Sequence, residues 1–377
     1  MANGIGILLK TIMKIAENSI KRNRFLKTDT SGKILETVME FVEVDMPPEK
    51  QIEVVKFWDR EYSIFTLSAL VKMLEVMNCK DFGDNSFSSF VFFCHSGTSQ
   101  HFRSLTESKI FETVVGEKFI ADQLIGDEIL QLHATNAEHL IGLFEQIEKG
   151  VPFDSDFIAD FGLSFGVFAG ANTCIQRSAD YVAQHPQHGL LLNRLIKQRT
   201  KYEHVMSFYD SYLEKLCIKI AKKKGVGTPH LLKLLTLREF IDFMRTDKFP
   251  TRMEKREECC ALFILPTPKL LVGEQARMLL KEMLLIEEKK NATLLNEEIK
   301  GMGIYPGKVR GVVQVITDVK DLMDFKEGNI LVASTTLPQY NTTLTKAMGI
   351  ITDEGGILTH GNAREKILQG NMGFKFF

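Results

Sequence analysis

The run Gly349-Ile350-Ile351-Thr352-Asp353-Glu354-Gly355-Gly356-Ile357-Leu358-Thr359-His360 decides how the C-terminal part of this chain is read. Ile350 and Ile351 predict a short buried strand, Gly355 and Gly356 a turn, and His360 stands where a helix can begin. Glycine admits positive φ and lets a ligand come close to the backbone. Successive N–H groups in such a turn, or at a helix start, form a cradle for an anion. A histidine beside a phosphate-sized site is a candidate phosphoryl acceptor, because neutral imidazole is a competent nucleophile near pH 7.

Further runs lie upstream. Gly303-Ile304-Tyr305-Pro306-Gly307-Lys308-Val309-Arg310-Gly311-Val312-Val313 predicts a strand entered through glycines. Glu327-Gly328-Asn329-Ile330-Leu331-Val332-Ala333 predicts a second strand, followed by Thr336-x-Pro338. Together with Thr352-x-x-Gly355-Gly356-x-x-Thr359-His360, and in this order, they resemble the swivelling domain of the phosphoenolpyruvate-utilising enzymes. That family includes phosphoenolpyruvate synthase, pyruvate phosphate dikinase and the rifampicin phosphotransferases, and its mobile domain carries a phosphohistidine between two active sites. The resemblance runs from about Gly301 to His360. It implies phosphoryl transfer through His360, with Thr352, Gly355, Gly356, Thr359 and Arg364 around the phosphate. Arg364 follows His360 by four residues, one helical turn, and so can share its face.

After His360 the pattern departs from the family. Gly361-Asn362-Ala363-Arg364-Glu365 reaches Arg-Glu about two residues early, and the chain stops 17 residues after His360. The expectation is a mobile domain incomplete at its C-terminus, with residues 361–377 poorly ordered and His360 solvent-accessible beside the glycine turn.

Outward from this stretch the chain reads as helical. Tyr202, Val205, Met206, Tyr209, Tyr212, Leu213, Leu216, Cys217, Ile220 and Ala221 form one apolar stripe at steps of three and four. Lys222-Lys223-Lys224 suits a helix C-terminus and Gly225 stops it. Thr236-x-x-Glu239 is a capping box. Arg194 and Arg199 near the start of the long helix, the run Leu231 to Glu239, and a helix with Arg252 and Arg256 resemble, more loosely, the same family's connecting region. Arg194 and Arg199 read either as solvated charges or as groups facing an anionic ligand in a cleft.

Nearer the N-terminus, Ile34, Val38, Phe41 and Val42 fall at helical spacing, and Ile64 to Met77 do so more clearly. Trp58-Asp59-Arg60-Glu61-Tyr62-Ser63 is expected to open that second helix, its Arg-Glu pair being a local charge pair or part of a pocket wall. Ser86 to Cys94 is aromatic and β-prone, a strand or buried segment. His95, Ser96 and Ser99 nearby lack a Gly-x-Ser-x-Gly elbow and are not read as a nucleophile site. The expected organisation is α+β: a helical N-terminal region (1–190), a helical connecting region (191–299) and a small α/β phosphohistidine domain (300–377). In the last, Val309, Val313 and Val315 are expected on a strand with Ile330 and Val332, with Ile350 and Ile351 nearby and Leu344 to Met348 helical.

Composition narrows the function. Net charge is −1, with 44% hydrophobic and 25% charged residues, which points to neither a nucleic-acid nor a membrane partner. No run reaches about 18 uninterrupted apolar residues. The six cysteines form no C-x-x-C pair, and reduced thiols in a cytoplasmic protein are expected. There is no Gly-x-x-x-x-Gly-Lys-Ser/Thr loop. No ATP-grasp pattern is legible before residue 190, and no room for a phosphoenolpyruvate barrel follows His360. No cofactor is therefore expected on this chain. ATP and Mg are expected on a partner, an ATP-grasp or phosphoenolpyruvate-binding protein, with a small phosphorylated metabolite as substrate. Two functions fit: a phosphotransferase module working through phosphohistidine, or a non-catalytic binding or regulatory protein, or truncated product, that keeps the fold.

Overall fold

Short apolar runs that alternate between two faces build the large part of this chain. In a computed structural model, residues 38–45, 55–77, 90–95, 97–264, 268–293, 308–316, 319–333 and 340–352 are described. Their strands are β1 (Val42–Val44), β2 (Val55–Arg60), β3 (Phe90–His95), β4 (Thr98–Arg103), β5 (Cys260–Ile264) and β6 (Lys269–Val272). These form one sheet in the order β1-β6-β5-β3-β4-β2, antiparallel except for the β1–β6 pair. Residues from both sides of position 190 thus share one sheet.

The two faces of this sheet meet different cores. Phe90, Phe92, Cys94, Cys260, Leu262 and Ile264 point into a large core with the helices. Val91, Phe93, Phe102, Ala261, Phe263 and Leu271 point the other way, against Ala276, Leu279, Leu280 and Met283 of a later helix. Residues i and i+2 on one strand share a face, so this partition follows from the pleat.

The helices are α1 (Ile64–Ala69), α2 (Val71–Met77), α3 (Leu105–Ala121), α4 (Gln123–Lys149), α5 (Ser155–Val182), α6 (Gly189–Lys224), α7 (His230–Lys233), α8 (Leu237–Thr246), α9 (Met253–Glu258) and α10 (Glu274–Thr293). The long stripe of α6 is buried as its spacing predicts, and Gly225 caps it at φ 71°. Thr236 and Glu239 form the full capping box on α8, and the α8 N-terminus also takes a 2.7 Å bond from Leu237 N–H to Ser68 Oγ. Helix α5 is long and apolar enough to cross a membrane by composition, but 89% of its apolar window is buried inside the protein. It is the central helix of the core. Gly166 and Gly170 let α1 and α2 lie against it: a methyl at Gly166 would collide with the Ala69 carbonyl and Lys72.

The second sheet is small and parallel: β7 (Val313–Ile316), β8 (Ile330–Ala333) and β9 (Gly349–Thr352), in the order β7-β8-β9. Helix α11 (Asn341–Leu344) precedes β9. Ile316, Phe325, Leu331, Ala333, Tyr340, Leu344, Ala347 and Ile350 make its core. The chain is therefore α+β, mainly helical, with a small α/β unit after it.

Several local expectations are corrected. Val42–Val44 is a strand, not part of a helix, because it pairs with β6 more than 200 residues away. Trp58 to Arg60 ends β2, and the helix starts only at Ile64, where Ser63 accepts the Thr66 N–H. Val309 lies before β7, not in it, and the helix expected over Leu344 to Met348 is instead Asn341–Leu344, leaving Ala347 free to pack in the core.

Candidate functional site

Three parallel strands end side by side. Ile316 is opposite Ala333, and Ala333 is opposite Thr352, so the C-terminal ends of β7, β8 and β9 share one edge. In open α/β sheets, ligands bind beyond the C-terminal ends of the strands, where loops and backbone N–H groups converge. Both runs singled out from sequence leave from this edge: Thr336-x-Pro338 after Ala333, and Gly355-Gly356 to His360 after Thr352.

The edge is held by its own turns. Gln314 Oε1 accepts from Lys326 N–H at 3.0 Å and from Asn329 Nδ2 at 2.9 Å, and its Nε2 donates to Asp324 O at 3.0 Å. One side chain on β7 thus fixes the turn that feeds β8. Gly328, at φ 82°, donates to Lys346 O, and Met348 N–H donates to Asn329 O, tying that turn to the start of β9.

Thr352 is the described member of the predicted phosphate set. It is 2% exposed, and its Oγ1 is buried with no hydrogen-bond partner among the described residues. A buried hydroxyl without a partner costs free energy, so a group bound beyond the strand end that accepts from it is favoured. His360, Gly355, Gly356, Thr359 and Arg364 lie outside the described residues, as do residues 361–377.

The other residues raised by sequence separate into structural and unassigned groups. Arg194 is half-exposed and pairs with Asp127 at 2.5 Å, a solvated charge pair. Arg252 pairs with Glu43 and Asp45 at 3.0 Å each. Arg256 is 2% exposed and clamps Glu239 with two bonds, Nη1 to Oε2 at 2.6 Å and Nη2 to Oε1 at 2.8 Å. Burial alone would raise the Glu239 carboxyl; Arg256 and Thr236 hold it below its ordinary value. Ser99 accepts from Tyr62 N–H and donates to Arg60 O, so it ties β4 to β2.

Sequence reasoning missed two buried polar side chains. Thr66 Oγ1 donates to Asp210 Oδ1 at 2.8 Å, and burial pushes the Asp210 carboxyl up to about 6. His133, fully buried, stacks on Phe168 at 4.6 Å, and burial lowers it to about 3. Asp210 sits directly after Tyr209 of the buried stripe on α6, which is the signal that marks it. His133 sits among Ile129, Leu130, Ala137 and Leu140 on α4.

Residues 325–363 match the family model described as PEP-utilising enzyme, mobile domain. Phosphoenolpyruvate synthase of Pyrococcus furiosus is 38% identical over 81 residues, 22% of this chain and 10% of that protein. A probable phosphoenolpyruvate synthase of Archaeoglobus fulgidus is 30% identical over 142 residues, 37% of this chain and 18% of that protein. Rifampicin phosphotransferase of Bacillus cereus is 23% identical over 179 residues, 47% of this chain and 18% of that protein. The chain spans 6% to 18% of the length of the curated relatives it matches.

Proposed function

We propose that this chain, which belongs to the phosphoenolpyruvate-utilising family through its mobile domain, is a phosphoryl carrier that loads and unloads His360. One observation carries the reading: the parallel strand ends of β8 and β9 launch both signature runs from a single edge. A ring nitrogen of neutral His360 attacks phosphorus and forms a P–N bond. The P–O bond to the leaving group breaks, and the donor departs with that electron pair, as ADP or as pyruvate enolate. Transfer to the acceptor reverses these roles.

The phosphoramidate is reactive, so its charge needs fixed donors. Thr352 Oγ1 is one such donor, and the amides of Gly355 and Gly356 and the side chains of Thr359 and Arg364 complete the set. We assign ATP with its Mg, or phosphoenolpyruvate, to a partner chain or to another part of a longer protein, and no step here runs through a metal. A cytoplasmic location fits the buried free thiols of Cys94, Cys174, Cys217, Cys259 and Cys260.

The test is labelling with phosphoenolpyruvate carrying radioactive phosphate, and separately with labelled ATP plus a partner-containing extract. Acid-labile, base-stable label that vanishes in His360→Ala supports the carrier, and Thr352→Val should slow loading by about 10²–10³. A folded protein that takes no label under either condition leaves the non-catalytic reading in its place.

A further inference from the structure

The sheet face that meets the helices carries a polar layer where an apolar one would pack more simply. β4 sends Ser99, His101 and Arg103 to it on alternate positions, and they are 0%, 1% and 3% exposed. Arg60 on β2 is the register partner of Ser99 and shares that face. From the helices come Glu112 on α3, Arg177 and Asp180 on α5, and Arg199 and Glu203 on α6.

These groups form one electrostatic unit. Arg177 Nη1 lies 3.4 Å from Asp180 Oδ2 and 3.8 Å from Glu112 Oε2. Arg199 interacts with Glu203, Asp180, Arg60 and Arg177, and Glu112 with Arg177 and Arg103. Four guanidiniums from β2, β4, α5 and α6 therefore meet three carboxylates. Burial raises Glu112 in spite of its arginines, which weakens it as a counter-charge. Burial also lowers Arg199, and Arg60 and Arg177 push it the same way. Both nearby histidines stay neutral: burial sets His133 to about 3 and His101 well below its ordinary value.

Like charges gathered in a low-dielectric layer repel one another, and a bound anion turns that repulsion into attraction. We propose that this layer is a binding site for a small oxyanion, a molecule presenting a phosphate or carboxylate group to Arg60, Arg103, Arg177 and Arg199. Guanidinium forks suit both groups, since each offers paired oxygens to two parallel N–H donors. Arg60, Arg177 and Arg199 are half-buried and form the entry side, while Arg103 closes the inner end. There Phe90 and Phe92 stack on His101 at 4.8 and 4.6 Å, and the Arg103 guanidinium lies 6.0 Å from the Phe90 ring. That apolar wall keeps water out and strengthens the ionic hydrogen bonds. The inference stands apart from the carrier reading, because it uses none of the residues around His360.

The experiment is calorimetric titration and thermal shift of the full chain with inorganic phosphate and, separately, acetate, each against chloride at equal ionic strength. Saturable binding of either oxyanion, weakened at least about tenfold in Arg199→Ala and unchanged in Arg194→Ala, supports the site. Binding of phosphate alone assigns a phosphorylated ligand, and of acetate alone a carboxylate. If Arg199→Ala does not fold, Arg60→Gln takes its place, since Arg60 lies at the entry side. No stabilisation beyond chloride, or equal binding in wild type, Arg199→Ala and Arg60→Gln, overturns the proposal.

Discussion

The two sheets solve the burial problem in opposite ways. The six-stranded sheet is covered on both faces, by the helical core on one and by α10 on the other. The three-stranded sheet has a core of eight buried residues, and Val312, Val313 and Val315 beside and on its edge strand β7 are 69%, 54% and 60% exposed. Parallel strands are normally buried on both faces. The large region therefore gets its stability from packing, while the small one depends on few side chains, an arrangement that suits a unit presenting loops at one edge. The single tryptophan, Trp58, belongs to the large region, so its fluorescence follows that region alone.

This contrast can be tested by perturbing each sheet separately. Arg256→Ala should have the largest effect, about 3–5 kcal/mol, because it leaves Glu239 charged and buried without its clamp. Urea unfolding read by Trp58 should register the loss, and hydrogen exchange at 330–333 should not change. Leu331→Ala, at a fully buried position, should cost about 3 kcal/mol and reverse the pattern, removing exchange protection from β7, β8 and β9 while the Trp58 midpoint stays put. If either variant moves both signals together, the two regions unfold as one unit and the contrast fails.

A third perturbation concerns pH. The folded Asp210 carboxyl titrates near 6 against an ordinary 3.8, so the folded state holds its proton longer than the unfolded state does. Its contribution is present below pH 3.8 and is lost as pH rises through about 6. His133, titrating near 3 when folded, works the other way: stability falls as pH drops below 6.5, since only the unfolded state takes up the proton. Between pH 4 and 6 the two oppose each other. Asp210→Asn should therefore gain on the order of 2 kcal/mol at pH 7 and show a steeper acid loss than wild type in urea midpoints measured across that range. The smallest effect expected is Thr236→Ala, about 1 kcal/mol from losing the cap, read as a melting shift of about 2–4 °C.

Where the sequence was legible, a local rule was at work. The stripe from Tyr202 to Ala221, the stop at Gly225 and the Thr236–Glu239 box each lie within a few residues of their own partners, and all appear in the structure. The strands β8 and β9 were legible for the same reason. The six-stranded sheet was not. Its central strands read Phe-Val-Phe-Phe-Cys and Cys-Ala-Leu-Phe-Ile, continuous apolar runs with no polar face, because both faces are covered. Only the β3 segment was marked as a strand, by its aromatic residues. The arginine layer was half legible: Arg60 and Arg199 stood out beside helices, but Arg103 and Arg177 join them only through the pairing of β2 with β4 and the packing of α5 against α6.

The strand order of the large sheet also has a consequence for the order of synthesis. β3 sits between β4 and β5, and β5 lies more than 160 residues downstream of it. On the ribosome, β2, β3 and β4 emerge early as a three-stranded piece whose β3 edge, Phe90 to Cys94, has no neighbour until residue 264 is out. Edges of this kind recruit other chains, and non-local pairing is slow. The helices from α3 to α6 appear in that interval and can shield one face of the early strands, but not their open edge. A nascent chain of this protein is thus most exposed to mispairing between the synthesis of Arg103 and that of Ile264, and a ribosome pause within that window lengthens the hazard.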